Sequence, residues 1–294
     1  MNRLLRPFVR LMVRALFPGI AQSLEQEGQF DLHEHPADPG DMDVSRHLDV
    51  EDNGSDTTLI CFAGMAVLYA AMPKFEFRKT LAGTGGTYNY IWVRDIYRSY
   101  YDRAPDGSPN GLAFYTRIIG DAIDRLGSTF NIAIGASGGG AAAFAFSGLL
   151  PIHQIITFNP AFPMNEYGSW KNIGGILFDV SKLLRHPKAH IEVLFVVLGV
   201  RFLYNRNRRM VGVENMMNPI ECYHRKEPPA PATVFFSTNS LPDARQIRQF
   251  RDVPTVAVTP IVSERHNCMA ELKQRGELGP LIHAVIREGM AGRP

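Results

Sequence analysis

A chain of 294 residues with 45% hydrophobic and 20% charged side chains can bury a sizeable core, the expectation for one large α/β domain with insertions. The formal charge of +2 leaves no single-sign field that would point to nucleic acid or to a strongly acidic substrate. Cys61, Cys222 and Cys268 form no CxxC pair and, as an odd set, no complete disulfide framework, which fits a reducing, cytoplasmic setting.

Residues 1–17 carry Arg3, Arg6, Arg10 and Arg14 and no acid, with leucine, phenylalanine and methionine between them. The spacing predicts a basic amphipathic helix within residues 1–20. Four arginines exclude a spanning helix, and no uninterrupted apolar run precedes a small-residue cleavage site, so a secretory signal does not fit. A helix docked on the protein's own body, a peripheral membrane anchor and a transit peptide all remain open. Residues 21–56 form an acidic, turn-rich segment with room for edge strands. Asp31, His33, Glu34 and His35 resemble metal ligands, but no second group at a zinc spacing completes four, so neither metal nor cofactor is expected.

From Thr58 onward, apolar runs alternate with helical stretches, the pattern of a doubly wound, mostly parallel sheet. Strands are predicted at 59–62, 90–93, 132–134, 155–158, 234–236 and 255–258, with a helix over 110–126. The first part of this core covers 57–162 and the second 230–294. Between them, 163–229 breaks the rhythm and reads as a helical cap, with a buried helix over the apolar run 191–203.

The chemistry concentrates at Gly135-Ala136-Ser137-Gly138-Gly139, between the strand at 132–134 and a run of small residues. A nucleophile on a sharp strand-to-helix turn needs small neighbours two residues away on each side, the places of Gly135 and Gly139. A phosphate loop would need Gly-Lys-Ser or Gly-Lys-Thr, and no lysine lies between Lys79 and Lys171. A dinucleotide fingerprint fails on glycine spacing and on Asn159, where an acid would follow the next strand.

A hydroxyl nucleophile needs a base, and His266 follows the last predicted strand and precedes the terminal helical segment. A surface role for it stays open; His283 falls in the final helix, and His186, His190 and His224 fall in the cap. Asp243 is the one carboxylate in the loop after 234–236, and it reads either as the acid that orients His266 or as the N-cap of a helix starting near Ala244. Two backbone donors are expected for an oxyanion, Gly138 and, after Phe62, Met65. Arg94-Asp95, at the end of another strand, reads as a loop-holding ion pair or as a substrate contact.

With Ala63-Gly64-Met65, the serine turn, Asp243 and His266 in this order, residues 57–294 resemble the α/β-hydrolase superfamily, in particular bacterial esterase-like members. The resemblance implies a Ser137-His266-Asp243 triad cleaving an ester of a small or lipid-like acyl group. Ala63 replaces a histidine common in relatives, and the cap is long. Thioester hydrolysis, acyl transfer on the same triad, and a non-catalytic binding protein of this fold stay open beside it.

Overall fold

In the computed structural model, which describes residues 11, 14, 15, 43–65, 73–82, 87–162, 169–250 and 253–292, all six predicted strands form within one seven-stranded sheet. The predicted N-terminal helix, apart from the helical residues Leu11, Arg14 and Ala15, lies outside the described residues, as do Asp31, His33, Glu34 and His35. The strands are β1 (Leu48–Glu51), β2 (Thr57–Phe62), β3 (Asn89–Val93), β4 (Phe130–Ala136), β5 (Gln154–Phe158), β6 (Ala232–Ser237) and β7 (Val256–Ile261). Their order across the sheet is β1-β3-β2-β4-β5-β6-β7; β1 is antiparallel to β3 and all other pairs are parallel.

The helices are α1 (Arg78–Leu81), α2 (Gly111–Leu126), α3 (Gly138–Ser147), α4 (Trp170–Leu177), α5 (Val180–Arg185), α6 (Pro187–Val211), α7 (Pro219–Tyr223), α8 (Leu241–Gln246), α9 (Cys268–Gln274) and α10 (Leu278–Ala291). Crossovers between parallel strands lay helices on both faces, so β2, β3 and β5 are buried at every residue instead of alternating. Successive side chains still point to opposite faces: Ile60 and Phe62 join the core under α2, α3 and α6, while Leu59 and Cys61 join the one under α1, α9 and α10.

One sheet edge falls in the segment where edge strands had room to form, and the other runs past its expected end. β1 arises in the acidic segment, where Asp49 and Glu51 pair with Arg78 and Glu51 also accepts from Trp92 Nε1 at 2.9 Å, a charged edge that discourages further strand addition. β7 runs on through Pro260 to Ile261 instead of stopping at 258, because an edge strand tolerates a residue without an N–H.

Among the described residues four α-helices, α4 to α7, lie between β5 and β6. α6 is longer than the 191–203 helix expected. Pro187 starts it at the N-terminal position where the missing N–H costs nothing, and Gly212, at φ +81, follows its end. Val193, Val196, Val197, Val200 and Leu203 form its buried stripe, while Leu198 and Phe202 face outward. The helix is fastened at two places. Asn207 Nδ2 donates to Ser99 O and Asp102 Oδ2, both at 2.5 Å, in the segment after β3; Glu192 Oε1 accepts from Asn267 N at 3.4 Å in the segment after β7. Residues 192 and 207 lie about 22 Å apart along a helix, so α6 spans the end of the sheet from which both segments emerge. Among the described residues no helix is long and apolar enough to cross a membrane.

Candidate active site

β4 ends at Ala136 and α3 begins at Gly138, which leaves Ser137 alone at the turn with φ 51 and ψ −122. A non-glycine residue in that region stores strain of order 1–3 kcal/mol, held in place by the structure around it. Here Ser137 N donates to Phe158 O at 2.9 Å, and Ser137 O accepts from Ala161 N at 2.8 Å. The flanking glycines are required by contact: a Cβ on Gly135 would lie 2.2 Å from Gly139 O, and one on Gly139 would lie 2.2 Å from Phe62 O. Both neighbours are backbone. Gly139→Ala should therefore lower stability by roughly 3 kcal/mol, at the upper end of overpacking costs, read as a fall in the urea midpoint with m unchanged.

Ser137, His266 and Asp243 come together in the structure. His266 Nε2 is 2.9 Å from Ser137 Oγ, and His266 Nδ1 is 2.9 Å from Asp243 Oδ1. His266 and Asp243 are buried, and Ser137 is half-buried. Asp243 is not an N-cap. Pro242 sits in the first turn, so α8 starts at Leu241 with Ser240 before it; Asp243 lies within that turn and its Oδ2 accepts from Ser240 Oγ. Burial, the largest effect on His266, disfavours its imidazolium. The charge and hydrogen bond of Asp243, with Glu192 adding to them, outweigh burial and hold the His266 pKa above its ordinary value.

Gly64 and Met65 follow Ala63 at the end of β2 and lie against this turn. A Cβ on Gly64 would be 3.8 Å from Ser137 Cβ, and one on Gly138 would be 2.7 Å from Met65 Cγ and 3.3 Å from the Tyr100 ring. The two expected oxyanion donors, Gly138 and Met65, are thus neighbours beside the serine.

Several residues here escaped the sequence reading. Asn159, buried at φ 42, donates from Nδ2 to Ser237 Oγ at 2.8 Å and to the carbonyl of His266, and accepts from Ser237 N at 2.7 Å. It ties the histidine segment to the ends of β5 and β6. Glu192 is buried 3.5 Å from Arg265, next to the histidine; a lone carboxylate in the apolar run 191–203 was its only sequence signal. Glu76 accepts a backbone hydrogen bond from Gly64, and burial pushes its carboxyl up to about 7 against that bond and the charge of Lys74.

Arg94 and Asp95 shape their loop through the backbone. Arg94 Nε donates to Arg46 O at 2.6 Å and the guanidinium lies over Phe75. Asp95, fully buried, accepts from the amides of Tyr97 at 3.0 Å, Ser99 at 2.5 Å and Tyr101 at 3.0 Å. Those bonds hold a turn in which Arg98, Tyr100 and Tyr101 all have positive φ. Cys268, two residues past His266, is buried, and burial pushes its thiol up to about 12, so it stays protonated and unreactive. Among the described residues no group of three or more His, Cys, Asp or Glu side chains could hold a metal ion.

No family model matches the chain, and no curated protein matches it in sequence. Solved structures do match. MenH from Staphylococcus aureus is 13% identical with a TM-score of 0.50, over 83% of this chain and 99% of its own. A protein of unknown function from Staphylococcus aureus subsp. aureus Mu50 is 12% identical with a TM-score of 0.52, over 83% of this chain and 93% of its own. MGS-M2, an α/β-hydrolase enzyme from a Medee basin deep-sea metagenome library, is 12% identical with a TM-score of 0.49, over 84% and 94%. At such identities the likeness to MenH and to the Mu50 protein, both at a TM-score of 0.50 or above, speaks to fold alone, and it agrees with the mostly parallel sheet, its flanking helices and the strand-to-helix turn at Ser137. A sheet in this strand order, antiparallel only at its β1 edge, with a strained serine between β4 and α3, is the α/β-hydrolase fold.

Proposed function

We propose that the protein is a serine hydrolase that cleaves a carboxylic ester or a related acyl bond through an acyl-enzyme. One observation carries this reading: the unbroken line of hydrogen-bond contacts from Ser137 Oγ through His266 to Asp243. A carboxylate can only accept, so Nδ1 carries the proton and Nε2 presents its lone pair to the hydroxyl. Ser137 Oγ attacks the acyl carbon as His266 takes its proton, and Asp243 stabilises the imidazolium. The amides of Gly138 and Met65 meet the oxyanion, reinforced by the N-terminal dipole of α3. His266 then protonates the leaving group, and water, activated by the same imidazole, releases the acid. Helices α4 to α6 act as the cap above the acyl site.

A fluorophosphonate probe is expected to label folded protein at Ser137, and a chain-length series of p-nitrophenyl esters and matching thioesters is expected to give turnover at one preferred acyl length. Folded protein that neither labels nor turns over any ester would sink the assignment.

Because the His266 pKa is held above 6.5 and the base works when neutral, kcat/KM should rise with pH through an apparent pKa above 6.5. Glu192→Gln removes one of the charges that favour the imidazolium, so this acid limb should move to lower pH while the plateau rate stays. A limb that does not move would mean that the Glu192 charge does not reach the base.

A further inference from the structure

The insertion carries an unusual surface. Phe178 is 86% exposed, Leu184 78% and Trp170 68%, and Leu177, Val180 and Phe202 are exposed with them on α4 to α6. Large apolar side chains exposed together on helices that pack against one another are costly to leave in water, and such surfaces mark contact sites. The charge around them is one-sided. Over residues 169–211 there are eight lysines and arginines and two acids, although the whole chain is nearly balanced at 31 to 29. Of the two acids, Glu192 is buried against Arg265, and Asp179 is taken up capping α5, where its Oδ1 accepts from Lys182 N at 2.9 Å. Lys171, Arg185 and Lys188 are exposed beside the apolar residues, and Arg201 lies 4.3 Å from the centre of the Trp170 ring.

This surface borders the candidate site. Lys182, on α5, pairs with Glu264 at 2.8 Å and donates to Asn239 O, so α5 is fastened to the segments that carry His266 and Asp243. On α4, Asn172 Oδ1 accepts from Arg245 Nη1 at 2.5 Å, and Arg245 belongs to the same helix as Asp243. Val262, four residues before the histidine, is 71% exposed as well.

We propose that the outer face of α4, α5 and α6 docks on an anionic lipid bilayer, with Phe178, Leu184 and Trp170 entering the headgroup region and Lys171, Arg185 and Lys188 meeting lipid phosphates. Exposed apolar and aromatic side chains ringed by cations on short helices are the composition that binds an interface without spanning it. A protein partner of the same face would need matching acids, and a second copy of this chain in a symmetric contact would bring its own cations against these. Charge therefore favours lipid. Docked in this way, the protein opens the Ser137 site at the membrane surface.

The test is co-sedimentation of the full chain with phosphatidylcholine vesicles, with and without one third phosphatidylserine. Binding to the mixed vesicles is expected to exceed binding to the neutral ones by tenfold or more and to fall as salt rises. Phe178→Asp with Leu184→Asp should lower binding to the mixed vesicles at least tenfold, and Arg185→Glu with Lys188→Glu should remove the preference for anionic lipid. Unchanged urea midpoints would show that both variants fold. Equal binding by wild-type and variant proteins, or no vesicle binding by any of them, would overturn the proposal. So would a dimer in sedimentation velocity that Phe178→Asp dissociates without vesicle binding by wild type, an outcome that assigns the face to a second copy. Vesicle binding requires no turnover, so these results are read separately from the hydrolase assignment.

Discussion

Ser137→Ala is expected to lower kcat for its best ester by about 10⁴- to 10⁶-fold while KM changes little, because the lost group acts only in the covalent step. The residual rate should still exceed that of water, since the amides beside the serine remain. Stability separates this from an unfolding artefact. Ser137 sits at φ 51, and alanine inherits the same backbone strain, so the urea midpoint should stay near wild type. Ser137→Gly should be equally inactive yet more stable than Ser137→Ala by about 1 kcal/mol, because glycine takes a positive φ without steric cost. Wild-type turnover by either variant would remove Ser137 from the chemistry, and equal midpoints for the two would mean that the turn carries no strain.

Asp243→Asn is expected to cost about 10⁴-fold in kcat with the fold intact. The amide fits the same space and can donate to His266 Nδ1, 2.9 Å away in the wild type. That favours the tautomer with the proton on Nε2, where it faces Ser137 and cannot accept. Two pH effects should accompany the loss. Burial, no longer outweighed by the carboxylate, lowers the His266 pKa, so the remaining activity should persist to lower pH. Stability should respond in the opposite sense. A histidine whose folded pKa lies above its unfolded value contributes stability that is fully present below the unfolded pKa and is lost as pH rises through the folded one. The deficit of Asp243→Asn should therefore be largest below pH 6.5 and shrink above it, as measured by urea titrations across that window. A pH-independent deficit would show that the pair is not linked to folding.

Much of the sheet was legible because its cause is local. Buried parallel strands need continuous apolar runs, and residues 59–62, 132–134 and 155–158 supply them without competing helical periodicity. An edge strand had room in the acidic segment, but the position of β1 was not fixed there, because its acids find their partners Arg78 and Trp92 at distant positions. The start of α8 was displaced because Pro242 suits a first turn better than it suits a loop.

The serine turn is legible for a similar reason: Gly135 and Gly139 answer clashes within five residues of chain and with the end of the adjacent strand. The supporting residues had no such local cause. Asn159 meets the His266 carbonyl across 107 residues, and Glu192 meets the Asn267 amide across 75; neither position carries a pattern that names its partner.

What the sequence determined by itself about this protein is the alternation of strand and helix and the one turn able to hold a strained serine, since both follow from sterics and burial over a few residues. Tertiary structure alone decided how Ser137 meets a histidine 129 residues away, why Asp243 faces that histidine while bonding Ser240, and that α6 crosses the end of the sheet with Glu192 beside the base. Those outcomes depend on which loop ends the parallel sheet gathers at one edge, a consequence of strand order that no short window of residues contains.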